Sequence, residues 1–421
     1  MRHQEIGMSD RDNTPTGETA HRADAFAFPL LAMVLFAFFF AASTPSPLFV
    51  VFQRHWGFSS GMLTVAFSVY AIALLVALLS AGSLSDHIGR RPVVIGALGL
   101  QTLAMILFGY AGDINHLIAA RCLQGLATGI ASGALSAAVV EAAPASHRKV
   151  GVMFSSIAPL AGLATGSLIT GLSMYWFSTP EVMVFAVLAF IFLIAAVGVA
   201  MVPETATRRA GALGSLKPCI SVSARAQAAY VRSIPLLLAI WALCGLYMSL
   251  APSILYGVFN VNNAGLNGLT VAALCGPAAI AAAVLGRFLT LSLCAAVGAI
   301  AMVVGLSVLI MSLLGGGVVV FFIGTLIAGV GSGAGFSAVL QTLAPLAKEH
   351  ERAELFAAIF VACYLSLSLP PIMAGFGVGI FGLLDTSWVY LVALLLVALI
   401  TSLTHWRAYR DHQISTPAVQ S

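Results

Sequence analysis

Charge is what this chain has least of. Only 8% of its 421 residues are Asp, Glu, Lys or Arg, against about a quarter in ordinary soluble domains, too few to coat a water-soluble globule. The 15 acids avoid the middle of every long apolar stretch. Asp86, Glu141 and Glu354 stand at the ends of such stretches and Asp113 in a turn. Histidines avoid the middles too. Catalysis at depth in a membrane needs a pair such as His/Asp or Ser/Lys, and none is visible, so an enzyme is not expected. The 6 cysteines (Cys122, Cys219, Cys244, Cys275, Cys294, Cys363) are scattered, without CxxC or Cys/His ligand spacing. That argues against disulfides and against a metal site. A Gly-x-x-x-x-Gly-Lys-Ser/Thr loop is missing, which excludes a nucleotide-driven pump. No cofactor is expected. Strict apolar/polar alternation is missing as well, which excludes a β-barrel. The net charge of +4 is spread over the ends of apolar stretches and suggests no nucleic-acid partner.

Hydrophobicity is what fills the space. Apolar residues make up 60% of the chain, and they come in runs. About 20 mostly apolar residues cross a bilayer as one helix. Twelve runs of that order follow one another, at 27–51, 61–82, 92–111, 117–141, 150–174, 181–202, 234–258, 267–287, 289–313, 317–342, 354–382 and 387–405. The boundary between the eighth and ninth is the least marked, since only Arg287 interrupts it. These runs predict an all-α membrane protein of twelve transmembrane helices, with the lipid bilayer as solvent. The expected organisation is a disordered tail at 1–24, a six-helix bundle at 25–203, a linker at 204–233, a second bundle at 234–405 and a tail at 406–421. A cleaved signal peptide is not expected, because its apolar core would be shorter than the first run.

Lys and Arg beside spans stay on the cytoplasmic side. With the N-terminus inside, Arg90, Arg91, Arg148, Lys149, the bases of 208–232, Arg287, Lys348, Arg352, Arg407 and Arg410 all face inward. Arg54 is then the one basic loop residue outside. Both termini are therefore expected in the cytoplasm. Trp56, Trp176, Trp388 and Trp406 fall at span ends, where rings anchor at the headgroups. Trp241 instead lies well inside the seventh run.

The chain also repeats weakly. Residues 42–52, which end the first run with Pro45 and Pro47, run in step with 249–259, which end the seventh with Pro252. Residues 133–137, followed by Pro144, parallel 334–338, followed by Pro345. Agreement on runs 1/7 and 4/10 predicts two related six-helix halves with a site between them.

Between the second and third runs stands Gly82-Ser83-Leu84-Ser85-Asp86-His87-Ile88-Gly89-Arg90-Arg91-Pro92. Membrane topology needs Arg90 and Arg91 but not Gly82, Asp86 or Gly89. This turn resembles the Gly-x-Leu-x-Asp-Arg/Lys-x-Gly-Arg-Arg/Lys loop of the major facilitator superfamily, with His87 where the family has Arg or Lys. Arg121, Gln124 and Gly125 resemble the family's Arg-x-x-Gln-Gly pattern in the fourth helix. Pro159 and Gly162 resemble the Gly-Pro-x-x-Gly-Gly motif of its proton-driven drug antiporters, with Ala158 and Leu163 replacing glycines.

The resemblance implies two pseudo-symmetric bundles and a gating set of Gly82, Asp86, Gly89, Arg90, Arg91 and Glu141. In the family the aspartate contacts the start of the eleventh helix and an acid ending the fourth, here Glu141. His87 would make that latch sensitive to pH. Arg121, Gln124 and Thr128 share a helical stripe and are candidates for substrate or coupling, unless Arg121 snorkels to the headgroups. Phe40, Ser43 and Thr44 in the first helix and Trp241, Tyr247 and Tyr256 in the seventh are candidate cavity residues. Pro159, Gly162 and Gly166 are assigned to helix packing. The second half has lost the charged turn, reading Gly286-Arg287-Phe288-Leu289-Thr290 without an acid.

The expected function is secondary transport of a small molecule by alternating access. The first choice is proton-coupled export of a small, partly apolar organic compound by a monomer in a bacterial inner membrane. The alternative is uptake of a small organic anion with Arg121 as counter-ion. The lack of a deep carboxylate leaves the coupling ion open. A receptor on the same scaffold would need an output domain, for which the tails are too short.

Overall fold

A computed structural model describes residues 17–144, 148–204, 220–348 and 351–414. Helices make up the framework: α1 (Gly17–Ser43), α2 (Pro45–Trp56), α3 (Ser60–Ala81), α4 (Leu84–Ile88), α5 (Arg90–Gly109), α6 (Ile114–Ala142), α7 (Arg148–Ser173) and α8 (Pro180–Met201). The second half follows with α9 (Ala224–Ser249), α10 (Ala251–Gly257), α11 (Ala264–Phe288), α12 (Leu291–Met311), α13 (Gly317–Leu343), α14 (Arg352–Phe381) and α15 (Leu383–Ile414).

Among the described residues eleven helical runs are long and apolar enough to cross a bilayer. One of them, Leu291–Leu346, has 56 residues, far more than one crossing needs. It breaks at Gly315 (φ 117°) and Gly317 (φ 78°), conformations that favour glycine. Beyond the break α13 returns along α12, with Gly305 against Ala328 and Gly298 against Gly335. That run holds two spans, which restores the expected twelve. The weakly marked boundary after Arg287 is a genuine turn, where extended Thr290 caps α12 by accepting from the Leu293 amide (3.4 Å).

Several expected boundaries are corrected. The tail expected at 1–24 is helical from Gly17 onward, and its residues 1–16 lie outside the described residues. Of the expected linker, 205–219 also lie outside them, and α9 begins at Ala224. α15 continues to Ile414, into the expected C-terminal tail.

Glycine sets how the helices of each half pack. A Cβ on Gly125 or Gly129 of α6 would land on the Tyr70 or Leu74 carbonyl of α3. In the second half a Cβ on Gly329 or Gly333 of α13 would land on the Leu274 or Ala278 carbonyl of α11. Only a missing side chain lets two backbones approach so closely. The duplicated crossing supports the repeat between runs 4 and 10, but in a different register from the 133–137/334–338 match. Gly162 and Gly166 of α7 meet the Phe36 and Phe40 carbonyls of α1 in the same manner. The halves then join through α3 against α14 and α7 against α11.

Candidate transport site

The first span is not one helix. Pro45 has no N–H, so the Ala41 carbonyl loses its intrahelical donor and the helix breaks at Thr44. The polar stripe of α6 takes over. Gln124 Nε2 donates to the Ala41 carbonyl (2.8 Å), and Arg121 donates to the Ala42 carbonyl (3.1 Å) and to Gln124 Oε1 (2.7 Å). Ser43 and Thr44 hydroxyls both donate to the Phe40 carbonyl, at 3.1 and 3.0 Å. Thr128 donates back to the Gln124 carbonyl (2.8 Å). Phe40 is half-buried, its backbone lies against Gly162 and Gly166 of α7, and its ring meets Phe36 at 6.1 Å.

Arg121 is 1% exposed, so it does not snorkel. Its guanidinium lies 4.3 Å from the Tyr70 ring centroid, with Phe67 and Phe49 at 5.6 and 5.8 Å. Three aromatic faces, a carbonyl and an amide thus share a charge that costs several kcal/mol, in order of magnitude, to bury. No carboxylate is among its described contacts, and its Nε has no partner.

The second half presents aromatic surface across the seam. Trp241 packs edge-on against Tyr364 (5.3 Å) and Phe336 (5.7 Å), and its buried indole N–H has no partner. Tyr364 stands on α14, which packs against α3, the helix that carries Tyr70, and this brings the walls of the two halves together. The structure therefore unites Arg121, Gln124, Thr128, Ser43 and Thr44 in one buried cluster, with Trp241 packed beside Tyr364 in the second half. Tyr247 is elsewhere. It is buried against α13, hydrogen-bonded to Thr325 and stacked on Phe321 at 5.7 Å. Tyr256 is farther still, 47% exposed at the rim beneath Arg54, whose guanidinium stands 4.0 Å from its ring.

That rim is the end opposite the 82–92 turn, called here the distal end. There Arg54 also donates to Asn262 Oδ1 (3.4 Å), and Tyr175 donates to Asn263 Oδ1 (2.6 Å) while accepting from the Gly265 amide (3.1 Å). The halves are pinned together at this end.

At the other end the charged turn forms a network inside the first half. Arg90 pairs with Asp86 and with Glu141 (3.2 Å), and donates to buried Ser85 (2.6 Å). Glu141 is thus reached through Arg90 rather than by Asp86, which corrects the contact implied by the resemblance. Gly89 has φ 106°, and a Cβ there would strike the carboxylate of Glu204. Glu204 accepts from the Arg90 and Arg91 amides (2.8 and 3.2 Å), a carboxylate on the positive end of α5. Gly82 meets Gly133 of α6 where α3 ends. The side chain of His87 turns back to the Ser83 carbonyl (3.1 Å). Pro159 lies inside α7, which stays one helix.

Sequence reasoning missed Glu204 and Tyr70. An acid standing next to a span end in so acid-poor a chain was a signal for the first. Tyr70 carried none, because its place under Arg121 follows from the α3–α6 crossing.

Comparison with known proteins agrees with the fold. The family model described as Major Facilitator Superfamily matches residues 31–371. The staphylopine export protein of Staphylococcus aureus is 28% identical over 144 residues, covering 33% of this chain and 36% of that one. Multidrug resistance protein MdtL of Escherichia coli is 38% identical over 71 residues, covering 17% and 18%. Those matches span about a third or less of each curated relative's length. Among solved structures, a bacterial homologue of the human lysosomal transporter Spinster, inward-facing and unoccupied, aligns with TM-score 0.72 at 13% identity, over 94% of this chain and 99% of that one. The human organic anion transporter MFSD10 (TETRAN) aligns at 0.65 and 15%, over 90% and 99%. Twelve spans, a duplicated crossing and the family match lead to one conclusion: the chain belongs to the Major Facilitator Superfamily.

Proposed function

We propose that the protein exports a small, partly apolar organic solute by alternating access, with protons taken up in exchange. The observation that carries this reading is the seam between the halves, where α14, with Tyr364 packed on Trp241, lies against α3, whose Tyr70 ring covers the buried Arg121. Such a surface suits a flat apolar body and offers the unpartnered indole N–H as a polar anchor. Export is supported by the names of the partial relatives, a staphylopine export protein and a multidrug resistance protein. The positive-inside distribution supports termini in the cytoplasm, with the 82–92 turn on that side of a bacterial inner membrane. Two bundles at 25–203 and 234–405, working as a monomer, complete the reading.

Everted vesicles test it. A proton gradient, acid inside, should drive accumulation of a fluorescent aromatic amphiphile, and Trp241→Ala should raise its apparent KM about tenfold. Accumulation that ignores the gradient would sink the proton coupling.

A second reading, uptake of a small organic anion, is favoured by one feature: Arg121 has no carboxylate among its described contacts. Arg121→Gln, checked for folding by size exclusion, separates the two. Anion uptake should vanish in that variant, while export of a neutral amphiphile should persist at reduced rate.

A further inference from the structure

Three buried serines of the first half donate to main-chain carbonyls of the second. Ser46 Oγ reaches the Met248 carbonyl (2.9 Å), Ser68 Oγ the Ser368 carbonyl (3.1 Å), and Ser167 Oγ the Gly268 carbonyl (3.0 Å). Local sequence explains why these carbonyls are within reach. Pro252 has no N–H, so Met248 lacks its usual intrahelical donor, as Ala41 does before Pro45. Ser368 lies just before Pro370 and Pro371, which loosen α14. Gly171 and Gly268 are in backbone contact, which brings Ser167 close enough.

Among the described residues the pattern runs one way. The repeat places Ser253 where Ser46 stands and Ala41 where Met248 stands. Ser253 Oγ is buried without a partner, and the Ala41 carbonyl is held instead by Gln124 at 2.8 Å.

We propose that Ser46, Ser68 and Ser167 are positioning residues of the transport cycle, a set of hydroxyl clasps that hold the distal ends of the halves together and release when that side opens. The proposal rests on the alternating-access reading. A hydroxyl suits such a task better than an ion pair. A hydroxyl-to-carbonyl bond is weak in net terms, and a serine in a helix that loses its partner can donate to its own carbonyl one turn back. Ser249, Ser366 and Ser368 do this here, at 2.6, 2.7 and 2.8 Å. Separation therefore leaves no orphaned donor on the first half. Met248 is the exception on the other side, since its carbonyl has no helical donor to fall back on, so Ser46 should matter most.

The test measures the distal separation directly. Spin labels on genetically encoded side chains at Val182 and Val319, exposed near the distal starts of α8 and α13, report it in lipid nanodiscs by pulsed electron resonance. Each Ser→Ala change should raise the ratio of distal-open to distal-closed molecules about fivefold, with Ser46→Ala the largest and the triple variant near a hundredfold. Ser249→Ala and Ser366→Ala, which remove hydroxyls bonded within their own helix and not across the seam, should leave the ratio unchanged. A triple variant that is folded by size exclusion yet keeps the wild-type distribution overturns the clasp. A shift as large in the two controls overturns it also. If neither wild type nor any variant shows a second distance, with or without a transported amphiphile and a pH gradient, alternating access itself fails.

Discussion

The two halves share a backbone plan and differ in the chemistry that locks it. In the first, Gly125 and Gly129 seat α6 on α3; in the second, Gly329 and Gly333 seat α13 on α11. One turn before each pair, the first half has Arg121 and the second has Thr325. Arg121 reaches across to the broken first span through the Ala42 carbonyl, whereas Thr325 meets the hydroxyl of Tyr247 on α9. The turns diverge in the same sense. Asp86, Arg90, Glu141 and Glu204 form a charged network, while the matching turn is capped by neutral Thr290. Duplication preserved the close crossings, where no side chain fits. The polar groups between them differ, because a carbonyl can accept from a guanidinium, an amide or a hydroxyl.

The crossings offer the most severe way to break this comparison. Gly129→Leu and Gly333→Leu each place a side chain on a backbone carbonyl, costing about 3 kcal/mol or more. Both should abolish monodisperse protein in fluorescence-detected size exclusion. Loss in only one half would mean that the crossings are not equivalent.

The locks come next. Arg121→Met strands the Ala42 carbonyl and should cost about 1–3 kcal/mol in thermal unfolding, with transport reduced below a tenth. Thr325→Val should cost about 1 kcal/mol and leave most transport intact. Equal loss of transport in both would remove the functional asymmetry.

In the turn, Asp86→Asn and Glu204→Gln should leave insertion and orientation unchanged, since Arg90 and Arg91 remain, yet slow transport severalfold. Thr290→Ala should slow it little. Unchanged flux in Asp86→Asn would reduce the turn to a topology signal.

The smallest effect concerns helix starts. Asp113 caps α6 by accepting from the Asn115 and His116 amides at 2.8 and 2.9 Å, whereas α13 starts without a side-chain cap. The amide and then the ring of His116 hold the Asp113 carboxyl below its ordinary range. Its stabilising effect is therefore present above the ordinary carboxylate pKa and lost as pH falls through the lowered one. Asp113→Asn should flatten that acid limb in a thermal-shift series and change little at neutral pH.

Some of this was legible before any fold was known. The bilayer needs long apolar runs and closed backbone hydrogen bonding, so composition alone gave helices and nearly all of the spans. The turn at Gly89 was legible because charge is so scarce elsewhere. The position of Arg121 was legible, but not its state. Stripe periodicity placed it on one face with Gln124 and Thr128, yet that stripe fitted a headgroup contact as well as a buried cluster. Tyr256 shows the limit from the other side. Its repeat position and aromatic ring suggested a cavity, and its place at the rim depends on where α10 ends.

Sequence by itself determined the class of molecule, the number of crossings, the duplication and the proline breaks, because each follows from local covalent facts or from what hydrocarbon will solvate. Tertiary structure decided which donors meet the carbonyls those prolines release: Gln124 for Ala41, and Ser46 from the opposite half for Met248. A missing N–H is written in the chain. The identity of its replacement depends on which helix the glycine crossings bring alongside, and no local pattern carries that.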